Sequence, residues 1–178
     1  MARPDLTGVL LVGGASTRFG SPKALARLNG ETLAERAWRT LGEACAHRLA
    51  VGKAEELLEL DLPVLDDGTE VRAAMAGVVA GLRAAPTEVA VVVPVDTPLV
   101  TPGALLELAD ACADAAVPQT GPLPGAYRKS ALPVLQRRLL EGRLALREAL
   151  TELDVRTLHI GESMLANVNT PDELRRLR

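Results

Sequence analysis

The chain's 178 residues leave room for one domain with a sizeable core, and a composition that is 48% hydrophobic but only 2% aromatic must build that core from Ala, Leu and Val. A formal net charge of -3, with no long basic run and a single Trp, Tyr and Phe, argues against a phosphate-tracking or base-stacking surface, so nucleic acid is not expected as a partner. The N-terminus carries no signal-peptide pattern and no apolar run approaches the roughly 20 residues that span a bilayer, so the expectation is a cytoplasmic protein with no membrane contact.

In chain order, Thr7 to Val12 (TGVLLV) reads as a buried parallel strand that feeds Gly13-Gly14 and a polar loop from Ala15 to Lys23. Thr32 and Glu35 have capping-box spacing ahead of an apolar face made by Leu33, Ala34, Ala37, Trp38 and Leu41, which predicts a helix from Thr32 to Cys45. Arg48 to Val51 and Leu62 to Leu65 are strand candidates on either side of a helical pattern from Lys53 to Leu60, and the second runs into Asp66-Asp67-Gly68. A helix is expected from Arg72 to Ala84. Val89 to Val93 (VAVVV) is an unbroken β-branched run, the pattern of a central strand, and ends in Pro94-Val95-Asp96-Thr97-Pro98.

Thr101 followed by Pro102 predicts the start of a helix through Leu105, Leu108, Ala109 and Cys112. Pro118, Gly121, Pro122, Pro124 and Gly125 mark a loop. Helices over Ala131 to Leu140 and Ala145 to Leu153 precede a strand at Val155 to Ile160, and Thr170-Pro171-Asp172-Glu173 opens a last short helix. This alternation predicts a single-domain α/β fold, a Rossmann-like three-layer sandwich with a mostly parallel sheet and helices on both faces. Ligands of such sheets sit beyond the carboxyl ends of the strands, which places chemistry at Gly13, Asp67 and Asp96.

The segment from Gly13 to Lys23 gathers flexible backbone, two hydroxyls, Arg18 and Lys23 into one loop at a strand end, a composition suited to a triphosphate. It is neither a P-loop, because Gly20 is followed by Ser21 and the lysine comes two residues later, nor a dinucleotide fingerprint. The alternative is a tight strand-to-helix turn with solvated Arg and Lys. Of 20 basic residues only Lys23, Lys53 and Lys129 are lysines, so each invites the question of what it is for.

Asp96 lies between Pro94 and Pro98, which restrict the backbone and leave a short extended loop able to aim a carboxylate at Mg2+; the alternative is an Asx turn. Asp66-Asp67-Gly68 is an ordinary turn signal raised in interest by its place at a strand end. Asn167 and Asn169 could equally serve to cap the last helix. Cys45 and Cys112 read as buried core residues, and His47 and His159 as solvated or core residues without a nucleophile partner.

Three segments then carry a family resemblance. LLVGGASTRFGSPKA resembles the signature LxGGxSxRxGxxKA of the nucleotidyltransferases related to the molybdenum cofactor guanylyltransferases, PVDTPLV resembles their PxDxPxV metal loop, and NVNTPDEL resembles their C-terminal NxNTPEDL segment. The resemblance runs from Gly8 to Leu174. It implies that Leu11, Val12, Gly13 and Gly14 lie against the nucleotide, that Lys23, helped by Arg18, meets the triphosphate, and that Asp67 contacts the nucleotide. It further implies that Asp96 holds magnesium and that Asn167 and Asn169 belong to the acceptor side. Two departures bear on the base: Val12 stands where the family usually has Ala, and Ala74-Met75-Ala76-Gly77 where it often has a GPLAG-like stretch.

The implied reaction moves GMP from GTP to molybdopterin with release of pyrophosphate, using Mg2+ as cofactor and Arg18, Lys23 and Asp96 as the groups that position and neutralise charge. Transient contacts with other cofactor-biosynthesis proteins go with that role. The rival readings are a sibling cytidylyl- or sugar-phosphate nucleotidyltransferase, a non-catalytic GTP-binding module, and an oxidoreductase on a Rossmann sheet.

Overall fold

A computed structural model describes residues 1–13, 22–53 and 60–177, so Gly14, Arg18 and most of the helical pattern at 53–60 lie outside the described residues. The first strand, β1 (Arg3–Leu11), is flanked by two parallel partners, β4 (Cys45–Gly52) and β6 (Val89–Pro94), and β5 (Val64–Asp66) extends the parallel array beyond β4. On the other side of β6 lie β8 (Gly125–Arg128), β7 (Ala115–Pro118) and β9 (Val155–Leu158), giving one seven-stranded sheet in the order β5-β4-β1-β6-β8-β7-β9. Only β8 runs against the rest. This is the mostly parallel α/β sheet expected from the alternation of strand and helix patterns.

Period-two alternation sends successive residues of each strand to opposite faces. Leu6 and Leu10 of β1 and Val89, Val91 and Val93 of β6 pack with α1 (Leu33–Ala44) and α3 (Pro102–Ala111), while Val9, Leu11, Ala90 and Val92 pack with α2 (Ala74–Ala84), α4 (Leu132–Leu140) and α5 (Leu146–Ala149). Helices therefore cover both faces. α2 approaches β1 closely because a Cβ on Gly77 would fall 2.7 Å from Leu11 and one on Gly81 2.5 Å from Val9. Two glycines one turn apart thus let the helix lie almost on the strand.

The expected caps form. Thr32 accepts the Glu35 N–H at 3.1 Å while the Glu35 carboxylate accepts the Thr32 N–H at 2.7 Å, and Thr170 and Glu173 repeat the reciprocal pair at the start of α6 (Pro171–Arg175). Thr101 caps α3 with Pro102 in its first turn. Ahead of α1, β2 (Arg27–Leu28) and β3 (Glu31–Thr32) make a two-stranded hairpin in which Asn29 and Gly30 both take positive φ, 52° and 86°, the requirement of its two-residue turn.

The residues expected to form only a Pro/Gly loop are flanked by two strands. β7 and β8 escape a pattern reading because each is four residues long and relies on Ala, Gly, Pro, Val, Tyr and Arg; tertiary pairing with β6 and β9 decides them. Cys45 opens β4 instead of ending α1, and is buried, as is Cys112 at the end of α3.

Candidate active site

The parallel register brings four chain ends level: Leu11 pairs with Val51 and with Pro94, and Gly52 with Asp66. The chain positions just past that line are therefore Gly13, Lys53, Asp67 and Asp96, which open onto a common pocket of about 340 Å³. Its floor is apolar, from Leu11, Val51, Val71, Gly77 and Leu123, with Arg72 among the polar walls.

At one end, the loop after β6 is fixed by backbone and side-chain bonds. Val95 N–H donates to the Leu11 carbonyl at 3.0 Å, and both the N–H and the hydroxyl of Thr97 donate to the Pro94 carbonyl. Thr97, not Asp96, closes this turn. The Asp96 carboxylate is left to point outward and accepts from Lys23 Nζ at 3.3 Å, with side chains 25% and 15% exposed. Lys23 is held there by a single 3-10 turn over Lys23–Leu25 that follows Pro22 and buries Ala24 completely.

Lys23 Nζ also donates to Asn169 Oδ1 at 3.1 Å. Asn169 reaches it because Val168 N–H donates to the Asp96 carbonyl at 2.8 Å, and the Asn169 N–H is taken by Glu173 of the α6 cap at 2.6 Å. A residue 146 positions from Lys23 is thus placed by one backbone bond and one helix cap. Asn167 is exposed and is not drawn into this cluster.

At the other end of the pocket, Lys53 Nζ donates to Asp67 Oδ1 at 2.6 Å and to the Thr69 carbonyl. Asp67 is further fixed by its own N–H, which donates to the Gly52 carbonyl at 3.1 Å, and by the Thr69 N–H, which donates to Oδ1 at 3.2 Å. Asp66 forms the turn bond, to Gly68 N–H. Lys53 was visible in the sequence only as one of three lysines; the signal that could have singled it out is its place immediately after a strand, level with Asp67 and Asp96.

Leu11 and Gly13 line the pocket, but Val12 does not: its side chain is buried in the layer of α1 and α3, and its N–H donates to the Val51 carbonyl at 3.0 Å. The loop before β8, which contributes Leu123, is tied down at several points. The Gln119 side chain bonds both the N–H and the carbonyl of Ile160, Arg147 donates to the Thr120 carbonyl, and the buried Tyr127 hydroxyl donates to the Pro122 carbonyl at 2.6 Å. Burial pushes the Tyr127 phenol up from its ordinary value, so it serves as a neutral donor.

Residues 8–157 match the MobA-like NTP transferase domain. The chain belongs to that family. A probable molybdenum cofactor guanylyltransferase of Chloroflexus aggregans is 33% identical over 96% of this chain and 92% of its own length. A probable molybdenum cofactor guanylyltransferase of Bacillus subtilis is 31% identical over 93% of this chain and 90% of its own. Among solved structures, molybdopterin-guanine dinucleotide biosynthesis protein A of Archaeoglobus fulgidus superposes with a TM-score of 0.81 at 26% identity, covering 96% of each chain. For a MobA-like NTP transferase, a cleft at the carboxyl ends of β1, β4, β5 and β6 is where the general rule for open parallel sheets places a nucleotide.

Proposed function

We propose that the chain transfers GMP from GTP to the terminal phosphate of molybdopterin, releasing pyrophosphate, and does so in the cytoplasm with Mg2+ as cofactor. The observation that carries this reading is the meeting of Lys23, Asp96 and Asn169 at 3.3 and 3.1 Å beside a pocket built from four strand ends. A cation, a hard carboxylate and a neutral amide placed together suit a substrate with several phosphate oxygens and a phosphorylated acceptor.

The donor set fits magnesium in a particular way. Among the described residues no three His, Cys, Asp or Glu side chains gather as a ligand group. Both pocket carboxylates meet a lysine, but Asp67 is held by Lys53 at 2.6 Å and is 8% exposed, whereas Asp96 meets Lys23 at the longer 3.3 Å and is 25% exposed, which makes Asp96 the one able to exchange its lysine for an ion. One carboxylate with the remaining positions filled by phosphate oxygens and water is the usual manner of Mg2+. When bound, the ion neutralises phosphate charge.

The reaction needs no protein nucleophile. A phosphate oxygen of the acceptor forms a bond to the α-phosphorus, and the bond from that phosphorus to the oxygen bridging to the β-phosphate breaks, its electron pair leaving with pyrophosphate. Lys23 would exchange Asp96 for phosphate oxygens, supplying a point charge, while Gly13 leaves the backbone accessible next to the triphosphate. Asn169, carried to Lys23 by the α6 cap, would orient the acceptor. Catalysis of this kind rests on positioning and electrostatics.

The direct test incubates the protein with labelled GTP, Mg2+ and molybdopterin and follows both products. Stoichiometric pyrophosphate and a guanylylated pterin are expected. Binding of GTP without pyrophosphate release for any acceptor would establish a binding module instead, and release with CTP alone would move the reaction to a cytidylyl transfer.

A further inference from the structure

Lys53, the lysine that lines the pocket, is not accounted for by phosphate chemistry. Phosphates belong at Lys23 and Asp96, beyond β6. In the order β5-β4-β1-β6, Lys53 and Asp67 lie two and three strands away, a span of roughly 10–14 Å at the usual strand spacing. A nucleotide laid across the strand ends therefore brings its nucleoside part to Lys53 and Asp67.

At that end the geometry is unusually constrained for side chains on an edge strand. β5 has only three residues, and Asp67 follows directly after it. Its carboxylate is only 8% exposed yet charged, and burial of that kind is tolerated when the charge is paired and hydrogen-bonded. Lys53, 16% exposed, supplies the pairing and also binds the Thr69 carbonyl, closing the chain around Asp67 from both sides. Among the described residues, the hydrogen bonds to the carboxylate come from Lys53 and from Thr69 N–H, and both fall on Oδ1. Oδ2 remains to accept from something in the pocket that Asp67 lines. Ammonium has three donors, of which these contacts use two.

Building on the GTP reading above, we propose that Lys53 is a positioning residue for nucleotide selection: it clamps Asp67 so that Oδ2 accepts a hydrogen bond from a donor on the nucleoside. Two groups of guanosine have that chemistry, the exocyclic amino group of guanine and the ribose 2′-hydroxyl. The clamp acts on ground-state binding far from the reacting phosphorus, so its loss raises KM and leaves kcat nearly intact.

The test measures GTP binding calorimetrically with Mg2+, together with KM and kcat, for the wild type and for K53M, K53R, D67N and K53M/D67N. K53M should weaken GTP binding about tenfold or more, the scale of one hydrogen bond to a charged group, with kcat within about threefold and K53R recovering most of the loss. In the D67N background K53M should change binding less than about twofold, because Lys53 acts through Asp67. The double variant, which carries no buried unpaired charge, guards against loss of fold in K53M alone. A larger loss for ITP than for 2′-deoxyGTP assigns the donor to the guanine amino group, and the reverse assigns it to the ribose; equal wild-type affinity for all three nucleotides overturns the proposal. Multiplicative effects of the two substitutions, or unchanged affinity in K53M, overturn it as well. Wild-type protein that binds GTP but never releases pyrophosphate would instead sink the transferase reading and leave the clamp standing.

Discussion

The ion pairs of the cleft and those between α4 and α5 use the same chemistry to different ends. In the second region Arg138, 1% exposed, donates to both Glu152 and Glu148, and Arg137 and Arg143 reach Glu152 as well, so one carboxylate meets three guanidinium groups. The Arg138 Nε atom is buried with no hydrogen-bond partner among the described residues, a cost accepted by a residue whose other nitrogens are committed. In the cleft, among the described residues, Lys23 meets Asp96 and Lys53 meets Asp67, each through one carboxylate oxygen. A network that engages both oxygens of Glu152 fixes α4 against the turn that follows α5, whereas contact through one oxygen leaves the other for a ligand. The choice of residue follows: the arginine fork suits permanent multivalent bonds, and lysine suits a point charge that exchanges partners.

Four substitutions sharpen that contrast. The largest effect is expected at the cleft: Asp96→Asn should lower turnover by roughly 10²- to 10³-fold, by analogy with the loss of one charge-stabilising group in other transfers. Its thermal midpoint should match the wild type, and an active Asp96→Asn protein would remove this carboxylate from the chemistry. The opposite pattern is expected for Arg138→Met, which should lower the thermal midpoint by several degrees, leaving two carboxylates without their buried partner, while kcat of the folded fraction is unchanged.

Next, Thr170→Ala removes a cap worth about 1 kcal/mol, and because that cap carries Asn169 to Lys23, KM for the acceptor should rise with little change in KM for GTP. Denaturation and steady-state kinetics on the same preparation separate the two consequences. The smallest effect belongs to Arg175→Ala, whose pair with Asp172 is 63% and 69% exposed; stability should stay within about 0.5 kcal/mol of wild type.

Acid titration separates the regions too. The side-chain hydrogen bonds from Arg138 and then Arg137 hold the Glu152 carboxyl below its usual value of 4.5. A carboxyl depressed in the folded state contributes stability that is present above its unfolded value and lost as pH falls through the folded one. Denaturant midpoints measured from pH 5 downward should therefore fall less steeply in Glu152→Gln than in the wild type. At the alkaline side burial pushes the Cys45 thiol up to about 12, so the unfolded chain loses that proton first and stability declines above pH 9; Cys45→Ala should flatten this limb.

Much of the fold was legible because its signals are local. The VAVVV run, the Thr32 and Thr170 capping boxes and the Thr101-Pro102 start each depend on neighbours within a few residues, and each forms as read. Asp96 and Lys23 could be singled out from proline flanks and lysine scarcity, and Asp67 from its place after a strand. What escaped is what distant pairing decides. The short strands β7 and β8 exist because β6 and β9 offer them edges, and Gln119, just past the Pro118 that opens the Pro/Gly loop, is tied to Ile160. Strand alternation likewise decides that the side chain of Val12 packs in the layer of α1 and α3.

The residue order by itself determined the alternation of strands and helices, their caps, and the strand ends at which charged groups would appear, since hydrophobic period and hydrogen-bonding caps are short-range properties. Only the tertiary structure decided that Asn169 meets Lys23, that Lys53 pairs with Asp67, and that both pairs flank one pocket. Those meetings depend on the register of four parallel strands and on a chain end folded back over 146 positions, and no local pattern encodes that distance.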